Sequence, residues 1–165
     1  MSVKIYKNHY EFSKSIPKNK CIMCLDMGMK RIGIAFSDKT QLIATAHNVY
    51  HRKNINKDLG YLNRILKENK AGSMVIGLPF EIEKQKSEWS ETIIHFANKL
   101  IKKCKINIYF QDESLSTSIA IHALKTTGIS IKKSKKINDK IAACIILQRT
   151  LDKINNSKNF FTNLL

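Results

Sequence analysis

The sequence predicts an α/β domain in which helices flank a mixed β-sheet. Three apolar segments with strand-like spacing follow one another from about residue 20, and helix-like and strand-like segments then alternate along the chain. The chain has 165 residues, of which 43% are hydrophobic. That length and apolar content suit one domain with a packed core, so we do not expect intrinsic disorder.

The first three strands are predicted to form a meander. Residues 21–26 are a buried apolar segment, residues 27–30 a tight turn, and residues 31–37 a second strand in which apolar residues alternate. Residues 42–50 are predicted as the third strand. Consecutive strands with short connections usually pair with each other, in antiparallel order.

The rest of the chain alternates between helices and strands. Apolar spacing predicts helices over residues 54–69, 87–103, 115–127 and 137–153, and strands over residues 74–78 and 106–112. The resulting order, β-β-β-α-β-α-β-α-α, is that of the ribonuclease H-like fold, a five-stranded mixed sheet flanked by helices.

The two ends of the chain are predicted to lie outside this domain. Residues 1–19 are polar and basic, so we expect a loosely ordered extension, followed by the domain over residues 20–155 and a tail over residues 156–165. The longest apolar run, residues 141–147, is far shorter than the ~20 residues that cross a bilayer. No apolar signal-peptide segment is visible near the start. We therefore expect a cytoplasmic protein with no membrane partner.

The chain is strongly basic. It has 29 Lys and Arg against 13 Asp and Glu, a net charge of +16. This favours a polyanionic partner, although a general bias toward Lys, Ile and Asn would also raise the count. The basic residues cluster at residues 132–140 and again at residues 52–57, which favours a binding surface.

Four cysteines occur, at positions 21, 24, 104 and 144. Cys21 and Cys24 form a C-x-x-C motif, which is typical of redox and zinc sites. Residues three apart on a strand point to opposite faces, however, and no second pair stands ready to complete a zinc site. We expect these cysteines to be reduced core residues.

Four acidic residues stand where elements end or begin. Asp26 ends the first strand, Asp112 and Glu113 end the last strand, and Asp139 lies in the first turn of the final helix. Such positions gather at the edge of an open sheet, where sites form. Carboxylates that converge there repel one another unless a cation lies between them, and oxygen ligands suit Mg²⁺ or Mn²⁺. Two such ions can activate water for attack at phosphorus.

Each acid also has a structural interpretation. Asp26 could cap the following turn, Asp112 or Glu113 could cap the next helix, and Asp139 could complement the dipole at a helix start. Only their joint placement favours a metal site. His47 lies four residues from another histidine, but no carboxylate is adjacent, so both are predicted as surface residues.

Four motifs resemble those of the bacterial YqgF/RuvX family of ribonuclease H-like nucleases. They are residues 25–38 (LDMGMKRIGIAFSD), 75–79 (VIGLP), 112–117 (DESLST) and 132–143 (KKSKKINDKIAA), in the family's order. Two departures stand out. Ser114 replaces the family's usual Arg, which removes a planar cation, and the loop at residues 80–86 lacks the usual Asp-Gly turn.

The resemblance implies that Asp26, Glu113 (or its neighbour Asp112) and Asp139 bind Mg²⁺ or Mn²⁺ and carry catalysis. The candidates for phosphate contact are Lys30, Arg31, Lys132, Lys133, Lys136 and Lys140. Family members are regarded as processing the 5′ end of the precursor of small-subunit ribosomal RNA, and have also been proposed as Holliday junction resolvases.

Three functions follow as hypotheses. The first is a metal-dependent endonuclease that acts on structured RNA, with precursor 16S rRNA favoured, as a monomer or a homodimer. The second is a resolvase of four-way DNA, which would act as a two-fold dimer. The third is a non-catalytic RNA-binding factor in ribosome assembly. Lysines grip either polymer, so the sequence leaves RNA and DNA open.

Overall fold

A computed structural model describes residues 2–79, 88–112 and 131–162 of the chain. The strands in these ranges are β1 (Ile5–Tyr6), β2 (Cys21–Met27), β3 (Arg31–Ser37), β4 (Ala44–His51), β5 (Ala71–Leu78) and β6 (Asn107–Asp112). The helices are α1 (His9–Ser15), α2 (Ile55–Glu68), α3 (Glu88–Cys104) and α4 (Ile131–Thr162). The predicted helix over residues 115–127, the loop at residues 80–86, and residues Glu113 and Ser114 lie outside the described residues.

The described strands form one sheet in the order β1-β6-β5-β2-β3-β4. β2, β3 and β4 pair antiparallel as a meander, whereas β5 pairs parallel with β2 and with β6. Over the described residues, the predicted ribonuclease H-like order of elements and the mixed sheet are confirmed. The sheet has a sixth strand, because β1 adds to the edge of β6.

The sheet separates two apolar cores. Along β2, Met23 and Leu25 belong to the core that includes residues of α2 and α3, whereas Ile22 and Cys24 belong to the core that includes residues of α1 and α4. We call these the α2–α3 face and the α4 face. Since successive side chains of a strand point to opposite faces, a strand covered on both faces is a continuous apolar run.

The cysteines are structural, as predicted. Cys21 belongs to the α2–α3 core and Cys24 to the α4 core, and none of the four described cysteines forms a disulfide. Burial raises the pKa of the Cys104 thiol to about 11 and also raises that of Cys21. These thiols therefore stay protonated at neutral pH, which is the inert state.

The third predicted strand is β4. It begins two residues later than predicted, at Ala44, because the side chain of Asp38 binds the backbone of the preceding loop. Its carboxylate accepts hydrogen bonds of 2.8 Å from the backbone N–H groups of Leu42 and Ile43, and a further one from Thr40. Burial acts to raise the pKa of Asp38, but these hydrogen bonds lower it to about 2. The loop amides are thus satisfied locally before β4 starts.

The N-terminal residues depart from the loose order expected from the sequence. Ile5 and Tyr6 of β1 pair with β6, and the Asn8 side chain caps α1 by accepting from the Tyr10 and Glu11 backbone N–H groups. Phe12 is fully buried, and its ring stacks on Tyr109 at a centroid distance of 5.3 Å. Local polarity did not reveal this order because its partner is distant in sequence.

The final helix is longer than predicted in both directions. It contains no glycine or proline, and Leu151 and Ile154 extend its buried stripe. Near its end, Ser157 hydrogen-bonds His9 of α1 at 3.2 Å, and Asn155 donates to the carbonyl oxygen of Gln41 at 3.0 Å. Residues 156–162, predicted as a tail, are therefore helical.

A membrane-spanning helix is absent from the described ranges, where no helix is both long and apolar enough to cross a bilayer.

The buried Phe12 ring makes the N-terminal segment part of the folded domain. We expect Phe12→Ala to lower the free energy of unfolding by about 3–5 kcal/mol, because it removes a fully buried aromatic side chain. Phe12→Leu, which keeps an apolar side chain there, should cost less. Urea unfolding followed by circular dichroism measures both, and a loss below about 1 kcal/mol for Phe12→Ala would show that α1 is not part of the cooperative core.

Candidate active site at the carboxyl edge of the sheet

Three parallel strands end at one edge of the sheet. Leu25 of β2 pairs with Ile76 of β5, and Ile76 pairs with Phe110 of β6, so β2, β5 and β6 run in register. Asp26 follows Leu25 directly, and Asp112 pairs with the last residue of β5. Both acids therefore lie at what we call the carboxyl edge, on strands about 10 Å apart.

The strand alternation separates these two acids. Asp26 follows Leu25 of the α2–α3 core, which places Asp26 on the α4 face, where it is half-buried. Asp112 is two residues beyond Phe110 of the α2–α3 core, which places it on that face, exposed. The alternation of the strands therefore assigns positions 26 and 112 to opposite faces of the same edge.

Asp139 lies on α4, which packs against the face of Asp26. Residue 139 is eight positions after Ile131, two turns into the helix, whereas the sequence placed it in the first turn. The helix dipole acts mainly on the terminal turn, so it does not explain an acid at this position. Ala143, about one turn further along this helix, is buried in the α4 core.

Arg31 of β3 and His51 of β4 lie on the same face of the sheet as Asp26 of β2. We call these neighbouring positions the Asp26 row. Asp26 pairs with Gly33 of β3, so Arg31, two residues earlier on β3, lies diagonally across from Asp26 on the same face. His51 of β4 pairs directly with Arg31 and is exposed, as predicted for a surface residue. Sequence reasoning missed that His51 joins this row, because the pairing of β3 with β4 shifts register midway.

The turn after Asp26 requires glycine at position 28, and hydrogen bonds from Arg52 hold it in place. The N–H of Gly28 donates to the carbonyl oxygen of Arg31 at 2.8 Å, and a Cβ atom at Gly28 would lie 2.6 Å from that oxygen. Arg52, just after β4, donates from its side chain to the Gly28 carbonyl at 3.2 Å and from its backbone N–H to the Lys30 carbonyl at 3.0 Å. The turn is thus fixed to the junction of β4 and α2.

An ion pair between the partly buried Arg52 and the buried Asp58 anchors that junction. The Nε of Arg52 donates to Oδ2 of Asp58 on α2 at 3.2 Å, with side-chain exposures of 18% and 2%. The other oxygen of Asp58 accepts from the backbone N–H of Lys53 at 2.9 Å, and the Arg52 guanidinium lies over the Phe96 ring of α3. The sequence counted Arg52 in a basic stretch, but its charge is neutralised inside the protein.

The metal ligands predicted from the sequence are only partly described. Glu113 lies outside the described residues, and only the backbone of Asp139 is described, as for Lys132, Lys133, Lys136 and Lys140. Within the described part of the chain, no three His, Cys, Asp or Glu residues form a cluster suited to a metal ion. What the structure provides is the half-buried Asp26 at a sheet edge beside α4.

The sequence of this chain is similar to those of known proteins. The profile described as "RuvX: Holliday junction resolvase" matches residues 20–153. A "Putative pre-16S rRNA nuclease" of Wolbachia sp. subsp. Brugia malayi (strain TRS) is 76% identical over 151 residues, 92% of this chain and 97% of that protein. A protein of the same name from Ehrlichia ruminantium (strain Welgevonden) is 54% identical over 150 residues, 91% of this chain and 96% of its own. Both relatives match over nearly their whole length.

Among solved structures, "T. thermophilus RuvC in complex with Holliday junction substrate" is similar with a TM-score of 0.46 and 12% sequence identity, over 77% of this chain and 91% of that one.

The Arg52–Asp58 pair supports the turn that follows Asp26, and its removal should be costly. We expect Asp58→Ala to lower the free energy of unfolding by about 3 kcal/mol, because it leaves the partly buried Arg52 guanidinium without its counter-charge. Urea unfolding measures the change. The matched control is Glu68→Gln, which removes an exposed ion pair with Arg64 and should cost less than about 0.5 kcal/mol. Equal costs for the two variants would contradict this role.

Proposed function

This chain belongs to the RuvX family, and on that basis we propose that it is an endonuclease that hydrolyses phosphodiester bonds in structured RNA. The favoured substrate is the 5′ end of precursor 16S rRNA, because the relatives that match over most of the chain carry the name of a nuclease for that RNA. This near-full-length similarity is the observation that carries the proposal. The net charge of +16 suits a polyanionic substrate.

Asp26, Glu113 and Asp139 are the proposed ligands of a divalent cation. Asp26 supports this role by its place at the carboxyl edge, half-buried on the face that α4 covers. An all-carboxylate donor set suits Mg²⁺ or Mn²⁺. When bound, such ions supply activation of a water molecule and stabilisation of the leaving oxygen. Asp112, the alternative ligand on β6, fits less well because the alternation of β6 assigns it to the other face.

The remaining residues of the edge attract and hold the substrate. Arg31 lies diagonally across from Asp26, close enough to contact a phosphate group near that carboxylate. Its planar guanidinium can hold two phosphate oxygens at once. Lys30, in the exposed turn beside it, adds a second cation at the same edge. These cations also offset the negative charge that several carboxylates bring together.

A second function is favoured by the family description, which names a Holliday junction resolvase. Resolution of a four-way DNA junction requires two symmetric nicks, and hence a two-fold dimer. Two measurements together separate the two functions. Sedimentation gives the oligomeric state of the protein with a DNA junction, and gel electrophoresis shows whether junction DNA or RNA is cut. A two-fold dimer that makes paired nicks supports the resolvase, whereas a monomer that cuts RNA supports the rRNA nuclease.

Replacement of Asp26 tests the catalytic assignment. We expect Asp26→Asn to slow Mg²⁺-dependent cleavage of a labelled precursor 16S leader RNA by about 100-fold or more, because it removes an anionic metal ligand. RNA affinity measured without divalent metal should stay within about threefold, since no cation is lost. The readout is gel-resolved cleavage beside fluorescence anisotropy.

The matched control is Asp112→Asn, the same change at the same edge on the other face, which should retain cleavage within a few-fold. Unchanged cleavage by Asp26→Asn, or an equal loss in both variants, would overturn the assignment. Binding of RNA with no cleavage by the wild-type protein would instead support a non-catalytic role in ribosome assembly.

A further inference from the structure

An open groove lies at the same end of the sheet as Asp26 but one layer away. It runs between the β2–β3 turn and the start of α2. Its lining residues are Met29, Lys30, His51, Arg52, Lys53, Asn54, Ile55 and Asp58. We call it the hairpin groove.

The hairpin groove presents cations to solvent. Lys30 of the β2–β3 turn and Lys53 just before α2 are exposed, as is His51 at the end of β4. The one carboxylate among the lining residues is Asp58, which is buried and paired with Arg52. The charges of Asp58 and Arg52 thus neutralise each other, and the exposed lysines give the groove its positive charge.

Hydrogen bonds within the protein link the two sides of the groove. Arg52 connects both of its sides, since it bonds the carbonyl oxygens of Gly28 and Lys30 in the turn and the carboxylate of Asp58 on α2. A site whose walls are already fixed loses little conformational entropy on binding.

The exposed lysine side chains supply the positively charged groups of the hairpin groove. At the helix start, the N–H of Lys57 donates to the Asn54 side chain at 3.0 Å, and the N–H of Lys53 donates to Asp58 at 2.9 Å. These two backbone donors are engaged within the protein, whereas the ammonium groups of Lys30 and Lys53 are on exposed side chains.

The groove is also within reach of the carboxyl edge. β4 runs in the same direction as β2, because each pairs antiparallel with β3. The end of β4 at His51 therefore lies about two strand spacings, roughly 10 Å, from the strand of Asp26. Stacked nucleotides rise about 3.4 Å each, so about three nucleotides span that distance.

We propose that the hairpin groove binds the phosphate backbone of the RNA strand a few nucleotides from the cleaved bond, with Lys30 and Lys53 as the contacts. This rests on the proposed function for the identity of the polymer. Met29, 75% exposed at the tip of the turn beside Lys30, offers an apolar surface to a sugar or base. Arg52 serves as internal support and makes no phosphate contact.

The salt dependence of RNA binding tests the groove directly. Affinity for a fluorescent single-stranded RNA is measured by anisotropy without divalent metal over a range of KCl concentrations. We expect Lys30→Gln and Lys53→Gln each to lower the slope of log K against log salt by about 0.7, and the double variant by about 1.4, because each lysine releases counterions from one phosphate.

The control is Lys102→Gln, the same charge change at an exposed position near the end of α3, in the turn of that helix that precedes β6. It should leave the slope unchanged. An equal fall in slope for Lys102→Gln, or no fall for the groove variants, overturns the proposal, as does a fall seen with a four-way DNA junction but not with RNA.

Cleavage is scored separately, so failure of the groove and failure of the nuclease function are distinguishable. Reduced slopes in a protein that cuts no substrate would keep the groove as an RNA-binding surface and remove the nuclease. Wild-type slopes in variants of an active nuclease would remove the groove alone.

Discussion

The register between β2, β5 and β6 is the constraint on which the candidate site depends. Leu25, Ile76 and Phe110 stand side by side across these parallel strands, all within the α2–α3 core. A shift of one residue would turn each strand over, so burial of these side chains fixes which residues reach the carboxyl edge and on which face. The place of Asp26 beside α4 is a consequence of apolar packing on the opposite face of the sheet.

Some basic side chains of this protein form internal ion pairs, whereas others are exposed and can bind a partner. Arg52 and Lys53 are adjacent in sequence, yet the first is paired with buried Asp58 and the second is exposed. The same acid also accepts the backbone N–H of Lys53, so one carboxylate both neutralises the arginine and orients the chain before α2. The net charge of the chain therefore overstates the charge that a partner meets at this surface.

Much of the fold could be predicted because it follows from local patterns. The alternation in β3 and the helical spacing of apolar residues in α2 are visible within a few residues, and both are confirmed. The order of the N-terminal segment could not be predicted, since Phe12 is ordered by Tyr109, far along the chain. The length of α4 was underestimated because its polar ends hide a helix with no glycine or proline to stop it.

The candidate site also combines features that local sequence predicts with features that depend on how distant strands pair. That Asp26 stands at a sheet edge follows from the apolar run before it. The face of Asp112 could not be predicted, because Ile108 and Tyr109 are both buried, so the apolar pattern of β6 does not tell which face meets which helix layer. The pairing of Arg31 with His51 likewise needs the register of β3 and β4.

Crystals of the protein soaked in Mn²⁺ and measured for anomalous scattering would show directly where a divalent cation binds. We expect an ion on the α4 face of the carboxyl edge, coordinated by Asp26, Glu113 and Asp139, with Asp112 outside its coordination shell. An ion held by Asp112 without Asp26, or an Asp26 carboxylate remote from those of both Glu113 and Asp139, would contradict the site described above.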